Sequence, residues 1–247
     1  MTALLVDAGN SRVKWGLWSG GRLRDSGAVA TEDIRSGAVS LPSVAVSRVL
    51  ISNVAGDELA RRFAEDIGDT APLAFIETAA ELAGVINGYR QPAQLGVDRW
   101  LALLGTRAET SDACLVVDAG TAVTIDALAA DGRHLGGQIL PGAPLMMASL
   151  AAGTSELPKV ASDTGAVLAT DDVFATHTAD AIRCGARTAV IGAVEHAYRQ
   201  LQQDDSAARL VLTGGDAPRM LATIAAPVHH RPDLVLYGLA VILESDA

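Results

Sequence analysis

Two near-identical stretches constrain the fold of this chain more than any other feature of its sequence. Leu4 to Gly9 reads LLVDAG and Leu115 to Gly120 reads LVVDAG, which places Asp7 and Asp118 111 positions apart. In each stretch the aliphatic run predicts a buried strand, and the small residues after it predict a turn. A repeated strand and turn of this kind indicates an internally duplicated domain.

The repeat extends beyond these stretches. The same shift of 111 positions, without a gap, aligns Gly21-Arg22 with Gly132-Arg133. Both halves then read as three strands joined by a turn and a hairpin, with helices following, which is the order of a mixed α/β lobe. We therefore predict an α/β protein with two lobes, residues 1–110 and 111–247, that face each other across a central cleft.

Hydrophobic periodicity predicts two helices in the first half. Asp57 to Ile67 has an apolar residue at every fourth position from its third residue onward, and this is close to the helical period. A second helix is predicted to begin at Val97, with Leu101, Leu104 and Ala108 as its buried stripe.

The second half predicts a further set of elements. Ala179 to Gln203 has the pattern of a long amphipathic helix, and Arg209 to Leu212 that of a buried strand. The strand ends at a glycine turn in which Asp216 is expected to cap the next helix. Leu234 to Leu243 is predicted to be a strand end that runs into a helix. Gly153 to Thr176 is rich in turn residues and is assigned no element.

Composition excludes several classes of function. The formal net charge is −10, whereas a nucleic-acid groove needs a surplus of Lys and Arg, so we expect no nucleic-acid partner. The longest uncharged apolar run, Leu234 to Leu243, is half the length of a bilayer span, so we expect no membrane partner. Two cysteines without metal-ligand spacing, and no leader sequence, are typical of a cytoplasmic protein.

The turn after each repeated strand is a candidate phosphate site. Asp7 to Lys14 reads DAGNSRVK, which combines short polar side chains and backbone amides with a nearby cation. The alternative is a plain hairpin turn with a surface lysine. In the second copy Asp118 is the charged group and Thr121 the hydroxyl donor. Because two carboxylates that face one polyphosphate would repel it, we expect at least one bound metal ion.

A third candidate site precedes the second copy. Gly96-Val97-Asp98-Arg99 places a carboxylate and a guanidinium side by side at a predicted helix start. The helix dipole keeps Asp98 ionised, and phosphoryl transfer needs only a carboxylate oriented toward the substrate hydroxyl. Arg99 can bind an anionic substrate. The alternative is an N-terminal aspartate beside a surface arginine.

The remaining residues and motifs indicate no other kind of functional site. The chain has neither the P-loop pattern nor the dinucleotide-binding fingerprint. Its five histidines show no metal-ligand spacing and are expected to be surface or structural residues, and Trp15, Trp18 and Trp100 are expected to be packing aromatics.

Taken together, the motifs resemble those of the type III pantothenate kinases, and they follow that family's order over nearly the whole chain. They are DAGNSRVK at Asp7, LGVDRW at Leu95, DAGTAVTID at Asp118, GGQILPG at Gly136, THTADAI at Thr176 and LTGGDA at Leu212. The resemblance implies a duplicated ribonuclease H-like, actin-like fold, shared with acetate and sugar kinases. It also implies ATP-dependent phosphorylation of pantothenate, the first step of coenzyme A biosynthesis.

The resemblance also implies roles for individual residues. Asp98 would be the general base, and Asp118 would bind a monovalent cation, potassium or ammonium, with Mg²⁺ accompanying ATP. ATP would contact Thr121 and the first phosphate loop, formed by Asp7, Ala8, Gly9, Asn10, Ser11, Arg12, Val13 and Lys14. Pantothenate would contact Tyr89, Gly96, Val97, Asp98, Arg99 and Thr178, the last across the interface of a homodimer.

The chain departs from the family pattern in two places. Ser11 stands where threonine is more usual, which keeps the hydroxyl, and residues 153–176 match poorly. Two other functions stay open at this point. One is a phosphatase that acts on polyphosphate or nucleotides, and the other is a non-catalytic regulatory protein of the same fold.

Overall fold

The computed structural model describes residues 2–42, 44–67, 71–160 and 173–245. Residues 161–172, in the predicted turn-rich segment, lie outside the described residues. The chain forms two compact units. The first comprises residues 1–110 and 234–247, and the second comprises residues 111–233.

The first unit is built on a five-stranded sheet. Its strands in chain order are β1 (Thr2–Ala8), β2 (Arg12–Ser19), β3 (Leu23–Ala30), β4 (Arg48–Asn53) and β5 (Leu73–Phe75). The spatial order is β3-β2-β1-β4-β5, with antiparallel pairing in the β1–β2–β3 meander and parallel pairing from β1 through β4 to β5. A small hairpin follows, made of β6 (Glu81–Leu82) and β7 (Val85–Ile86), and its helices are α1 (Thr31–Arg35), α2 (Asp57–Ile67) and α3 (Val97–Glu109).

The second unit repeats this sheet. Its strands are β8 (Cys114–Ala119), β9 (Ala122–Leu128), β10 (His134–Pro141), β11 (Arg209–Thr213) and β12 (Val228–His230), in the spatial order β10-β9-β8-β11-β12. Pairing directions match those of the first unit strand for strand. Its helices are α4 (Ala143–Gly153), α5 (Thr178–Asp204) and α6 (Ala217–Met220). The predicted duplication and the α/β class are confirmed.

The ungapped shift between the halves conceals two compensating changes in turn length. The turn after β1 joins the last ladder pair 8–13, whereas the turn after β8 joins the pair 119–123 and is one residue shorter. The following turn is closed by a backbone hydrogen bond across 19–22 in the first unit and across 129–133 in the second, so it is one residue longer. Residues on β2 therefore align with β9 at a shift of 110.

Helix α2 forms where the apolar spacing predicts it. Leu59, Phe63 and Ile67 are all buried, and they pack in one cluster with Val6 of β1 and Ile51 of β4. This cluster fills one face of the first sheet and holds β1 in place up to the turn that follows it.

The C-terminal helix, α7 (Leu234–Ser245), belongs to the first unit and not to a second lobe of residues 111–247. It packs on α3 at a crossing of two glycines. A Cβ on Gly105 would lie 2.6 Å from Leu234 O, and one on Gly238 would lie 2.8 Å from Leu101 Cα. This close approach requires residues without side chains at both positions.

Three expectations about these elements are wrong. Leu234 begins a helix and not a strand end. Residues 99–106 of α3 are buried on all sides, so the helix has no single buried stripe. Ala108 lies after this stretch, in the last turn of the helix, and is exposed. Asp216 occupies the N-cap position of α6 but makes no capping hydrogen bond, since its carboxylate pairs with Arg219.

Trp18, Trp100 and His134 are packed inside the protein. Trp100 is fully buried, and Trp18 meets Tyr237 edge to face at a ring-centroid distance of 5.7 Å. His134 Nε2 lies 2.8 Å from the Asp126 carboxylate, and both residues are buried. No helix in the described ranges is long and apolar enough to cross a bilayer.

Candidate functional site

The turn between β1 and β2 is held from within by Thr31, the first residue of α1. Gly9 N–H donates to Arg12 O at 3.1 Å. Thr31 donates twice, from its backbone N–H to Ser11 O at 3.1 Å and from its hydroxyl to Gly9 O at 2.7 Å. These bonds fix the turn carbonyls, while Asn10, Ser11 and Arg12 stay exposed. The turn is therefore a fixed loop with exposed polar residues, as a phosphate site requires.

A row of three polar residues crosses the sheet beside this turn. Asp7 is in register with Lys14 of β2 and with Ser52 of β4. Residues in register on neighbouring strands point to the same face, about 5 Å apart. Ser52 is fully buried and its hydroxyl has no hydrogen-bond partner among the described residues. Lys14 places a cation, and Asp7 a carboxylate, at the end of the sheet where the turn lies.

The turn between β8 and β9 has the same construction with one exchange. Gly120 N–H donates to Ala122 O at 3.0 Å, and Gly142 N–H donates to Thr121 O at 2.8 Å. Gly142 thus has the same role in this turn as Thr31 has in the first, and Thr31 lies 111 positions before it in the sequence. A Cβ on Gly142 would lie 2.8 Å from Thr121 O and would overlap Gly120 O. A residue with a side chain could not approach the shorter turn so closely.

Asp118 is the penultimate residue of β8 and lies next to a glycine turn. It is in register with Thr124 of β9 and Thr213 of β11, which repeats the row around Asp7. Gly214 has φ +97°, and a Cβ there would overlap both the Asp118 carboxylate and Ala119 O. The turn after β11 therefore packs closely against the Asp118 carboxylate and Ala119 O, and Asp118 is half-buried.

The Asp98 carboxylate is fixed at the start of α3. Its Oδ1 accepts the backbone N–H of Arg99 at 2.8 Å. Gly96, the residue before the helix, faces the same oxygen, since a Cβ on Gly96 would lie 2.6 Å from Asp98 Oδ1. Asp98 is half-buried. The sequence LGVD thus sets the position of this carboxylate through the absence of a side chain at Gly96.

Arg99 and Tyr89 are brought together, although ten positions separate them. An Arg99 guanidinium nitrogen donates to the Tyr89 hydroxyl at 2.7 Å. The guanidinium carbon lies 5.5 Å from the centre of the tyrosine ring. Arg99 is only 5% exposed. Tyr89, Arg99, Asp98 and Gly96 therefore form one chain of contacts in the first unit, and Val97 lies between Gly96 and Asp98 in sequence.

Thr178 lies on the second unit, at the first turn of α5, where it is exposed. It borders a groove of about 500 Å³ between α4 and α5. The groove is lined chiefly by apolar residues, among them Met146, Leu150, Leu157 and Ile182. An apolar groove beside an exposed hydroxyl can hold an apolar segment of a partner or ligand.

The carboxylates are spread among separate turns. Within the described ranges no three His, Cys, Asp or Glu side chains are grouped to hold a metal ion. A divalent cation at either turn would therefore need most of its oxygen ligands from a phosphate chain or water. Magnesium is bound in this way at many phosphate sites, through one or two carboxylates.

Thr31 holds a turn of the candidate site, and the motifs did not reveal it. An isolated threonine after a strand has no distinctive pattern. The shift of 111 positions to Gly142, inside a glycine-rich motif, is the signal that could have found it.

Sequence comparisons with known proteins agree on one family. Residues 3–200 match the family described as type III pantothenate kinase. The type III pantothenate kinase of Aromatoleum aromaticum is 42% identical over 247 residues, which cover 99% of this chain and 98% of that protein.

Solved structures with low identity share the fold. A protein from Sinorhizobium meliloti described as a 2-dehydro-3-deoxygalactonokinase superposes with a TM-score of 0.57 at 16% identity, over 99% of both chains. A Campylobacter jejuni protein described as a Baf family transcriptional activator gives 0.55 at 20% identity, over 98% of this chain and 97% of that one. The predicted actin-like fold of sugar and acetate kinases is confirmed.

Proposed function

The chain belongs to the type III pantothenate kinase family, and we propose that it transfers the γ-phosphoryl group of ATP to pantothenate. The product is 4'-phosphopantothenate, and the reaction is the first step of coenzyme A biosynthesis. The observation that carries the proposal is the family match over residues 3–200, which include every predicted site residue.

Asp98 is the general base of this proposal. Its carboxylate would accept the hydroxyl proton of pantothenate as the hydroxyl oxygen attacks the γ-phosphorus. The hydrogen bond from Arg99 N–H and the contact with Gly96 orient the carboxylate before the substrate binds. Orientation is what a loose phosphoryl-transfer transition state needs from a base. The Arg99 guanidinium would attract the pantothenate carboxylate, and Tyr89, which holds Arg99, would line the same pocket.

The turn from Asp7 to Lys14 would receive the ATP phosphates. Backbone amides and the Ser11 hydroxyl are donors of the type that bind phosphate oxygens, and Lys14 would neutralise charge. Mg²⁺ bound with ATP would screen the repulsion between phosphates and carboxylates. The Asp7 carboxylate is the ligand that this turn offers to such an ion. Thr121, in the equivalent turn of the second unit, would supply a further hydroxyl.

Asp118 is the proposed ligand of a monovalent cation, potassium or ammonium. Support comes from the chemistry of its surroundings, since a carboxylate next to a backbone turn offers the oxygen donors that a hard cation binds. The cation would supply positive charge near the phosphate chain without the tight geometry that magnesium demands.

Thr178 is the proposed pantothenate contact of a homodimer. Its support is the apolar groove beside it, between α4 and α5, which a second copy of the chain would cover. In this arrangement Thr178 of one protomer would reach pantothenate bound to the other.

We place the protein in the cytoplasm, because Cys114 and Cys184 are buried thiols and are not joined as a disulfide.

A coupled assay of ADP release, with and without pantothenate, tests the proposed function. We expect ADP release that requires both ATP and pantothenate, with one phosphorylated pantothenate formed for each ADP. Phosphate release from ATP or polyphosphate without pantothenate would instead support the phosphatase. Absence of any turnover by the folded chain would support the regulatory protein.

A further inference from the structure

The Asn87 side chain joins three stretches of the loop that precedes α3. Its Nδ2 donates to Ala79 O at 3.1 Å and to Pro92 O at 3.2 Å. Its Oδ1 accepts the backbone N–H of Tyr89 at 3.0 Å. Asn87 is only 9% exposed. Both amide hydrogens and the carbonyl oxygen are therefore used inside the protein, away from bulk solvent.

The backbone of Asn87 adds a fourth bond. Its N–H donates to Ala80 O at 2.9 Å, which closes the base of the β6–β7 hairpin. Ala83 and Gly84 form the tip of that hairpin, and both have positive φ, as a tight two-residue turn requires. Val85 is fully buried and anchors the hairpin to the unit. The hairpin is thus a rigid support from which Asn87 projects.

Two routes lead from Asn87 to the proposed pantothenate pocket. The first runs through Tyr89, whose amide Asn87 binds and whose hydroxyl binds Arg99. The second runs through Pro92, whose carbonyl also accepts Leu95 N–H at 3.1 Å, immediately before Gly96. The first route ends on a side chain of the pocket, while the second ends on the backbone that starts α3.

We propose that Asn87 is a positioning residue for pantothenate, which sets Arg99 through Tyr89. This inference rests on the proposed function. An asparagine suits the position because it presents two donors and one acceptor in one plane. Aspartate keeps the acceptor for Tyr89 N–H but loses both donors, so that the oxygen in place of Nδ2 would face the carbonyls of Ala79 and Pro92. That repulsion would shift the loop that carries Tyr89.

The first test is the isosteric variant Asn87→Asp, with binding measured separately from turnover. We expect KM for pantothenate, and its Kd by titration calorimetry, to rise about tenfold, as for loss of a buried hydrogen bond. KM for ATP should change by less than about twofold. A purely structural Asn87 would lower the melting temperature and the active fraction but leave KM for pantothenate unchanged, and that result would overturn the proposal.

A matched control removes a buried hydrogen bond elsewhere in the same unit. Thr106 is 2% exposed, and its hydroxyl donates to Ala102 O at 2.8 Å within α3. Thr106→Val should lower the melting temperature with KM for pantothenate unchanged. If it raises that KM as Asn87→Asp does, the effect of Asn87 is only loss of stability. Should Asn87→Asp fail to fold, Asn87→Ser serves for the same measurements.

A double variant tests the route through Tyr89. Tyr89→Phe removes the hydroxyl that binds Arg99, so Asn87→Asp should add little to its KM for pantothenate. If KM for pantothenate in the double variant rises by the product of the two single-variant increases, the route through Tyr89 is overturned. Failure of the proposed function is distinguishable, because the wild-type chain would then release no ADP with pantothenate, whatever residue occupies position 87.

Discussion

The contact between Gly96 and Asp98 predicts that Gly96→Ala lowers kcat strongly while leaving the enzyme folded. The new Cβ would lie 2.6 Å from Asp98 Oδ1, whereas ordinary contact begins at 3.4 Å, so the oxygen must move by about 0.8 Å. Gly96 has φ −56° and ψ 135°, which any residue adopts without strain. The carboxylate is the end of one side chain and can rotate away at little cost, so the substitution changes where the proposed base lies and hardly changes stability.

The size of the effect follows from this displacement. A misplacement of about 1 Å at a reacting group costs roughly 100-fold in rate, so kcat should fall about 100-fold. Stability should fall by less than about 1 kcal/mol, comparable to one exposed hydrogen bond. Steady-state kinetics at saturating ATP and pantothenate, with thermal unfolding of the same sample, measures both quantities.

The matched control is a glycine that touches nothing. Gly192 lies exposed on α5, and a Cβ there would meet no atom within 4 Å. Gly192→Ala should therefore keep wild-type kcat and gain about 0.5–1 kcal/mol of stability, because alanine favours the helix. Wild-type kcat in Gly96→Ala would refute the reasoning that Gly96 positions the base.

Further predictions concern the second unit. Gly214→Ala should lower the unfolding free energy by about 2–4 kcal/mol, because φ is +97° and the Cβ would overlap Asp118; an unchanged melting temperature would contradict this. Kinase activity in sodium-only buffer should rise on adding potassium or ammonium, and Asp118→Asn should abolish the rise; equal rates in all three salts would remove the cation. Burial raises the pKa of Tyr198 above its ordinary value of 10.0. Unfolding free energy should therefore fall as pH rises above about 10, less steeply in Tyr198→Phe, and equal slopes in denaturant titrations would contradict this.

The elements that the sequence predicts well are those with one polar and one buried face. The sequence predicts a helix over Asp57–Ile67 with the bounds that α2 has, because its buried residues recur at the helical spacing while the others face solvent. The repeated strands are buried on both faces and are predictable for a different reason. Both end at a short run of small residues, which marks the turn in each unit.

The elements buried on all sides could not be predicted in the same way. Leu234 to Leu243 has no polar face, since α7 packs into the first unit and most of its residues are buried. A continuous apolar run does not distinguish a buried helix from a strand. Its membership in the first unit depends on the glycine crossing at Gly105 and Gly238, which local sequence does not reveal.

Some residues of the candidate site could be predicted from the sequence, and others could not. Asp7, Asp98 and Asp118 stand in recognisable motifs because the turns around them need glycine or other small residues. Thr31 and Asn87 act through side-chain bonds to backbone carbonyls distant in sequence. Every residue type has a backbone carbonyl, so such bonds place no constraint on the neighbouring residue types. Neither Thr31 nor Asn87 is therefore marked by a local sequence motif.

The most direct test of the proposed mechanism is the kinetics of Asp98→Asn. Asparagine keeps the size of the side chain and an oxygen for Arg99 N–H, but it cannot accept the substrate proton. We predict a fall in kcat of about 10²–10⁴-fold, the usual contribution of a general base, with the calorimetric Kd for pantothenate within about threefold of wild type. A kcat near that of the wild-type enzyme would contradict the assignment of Asp98 as the base.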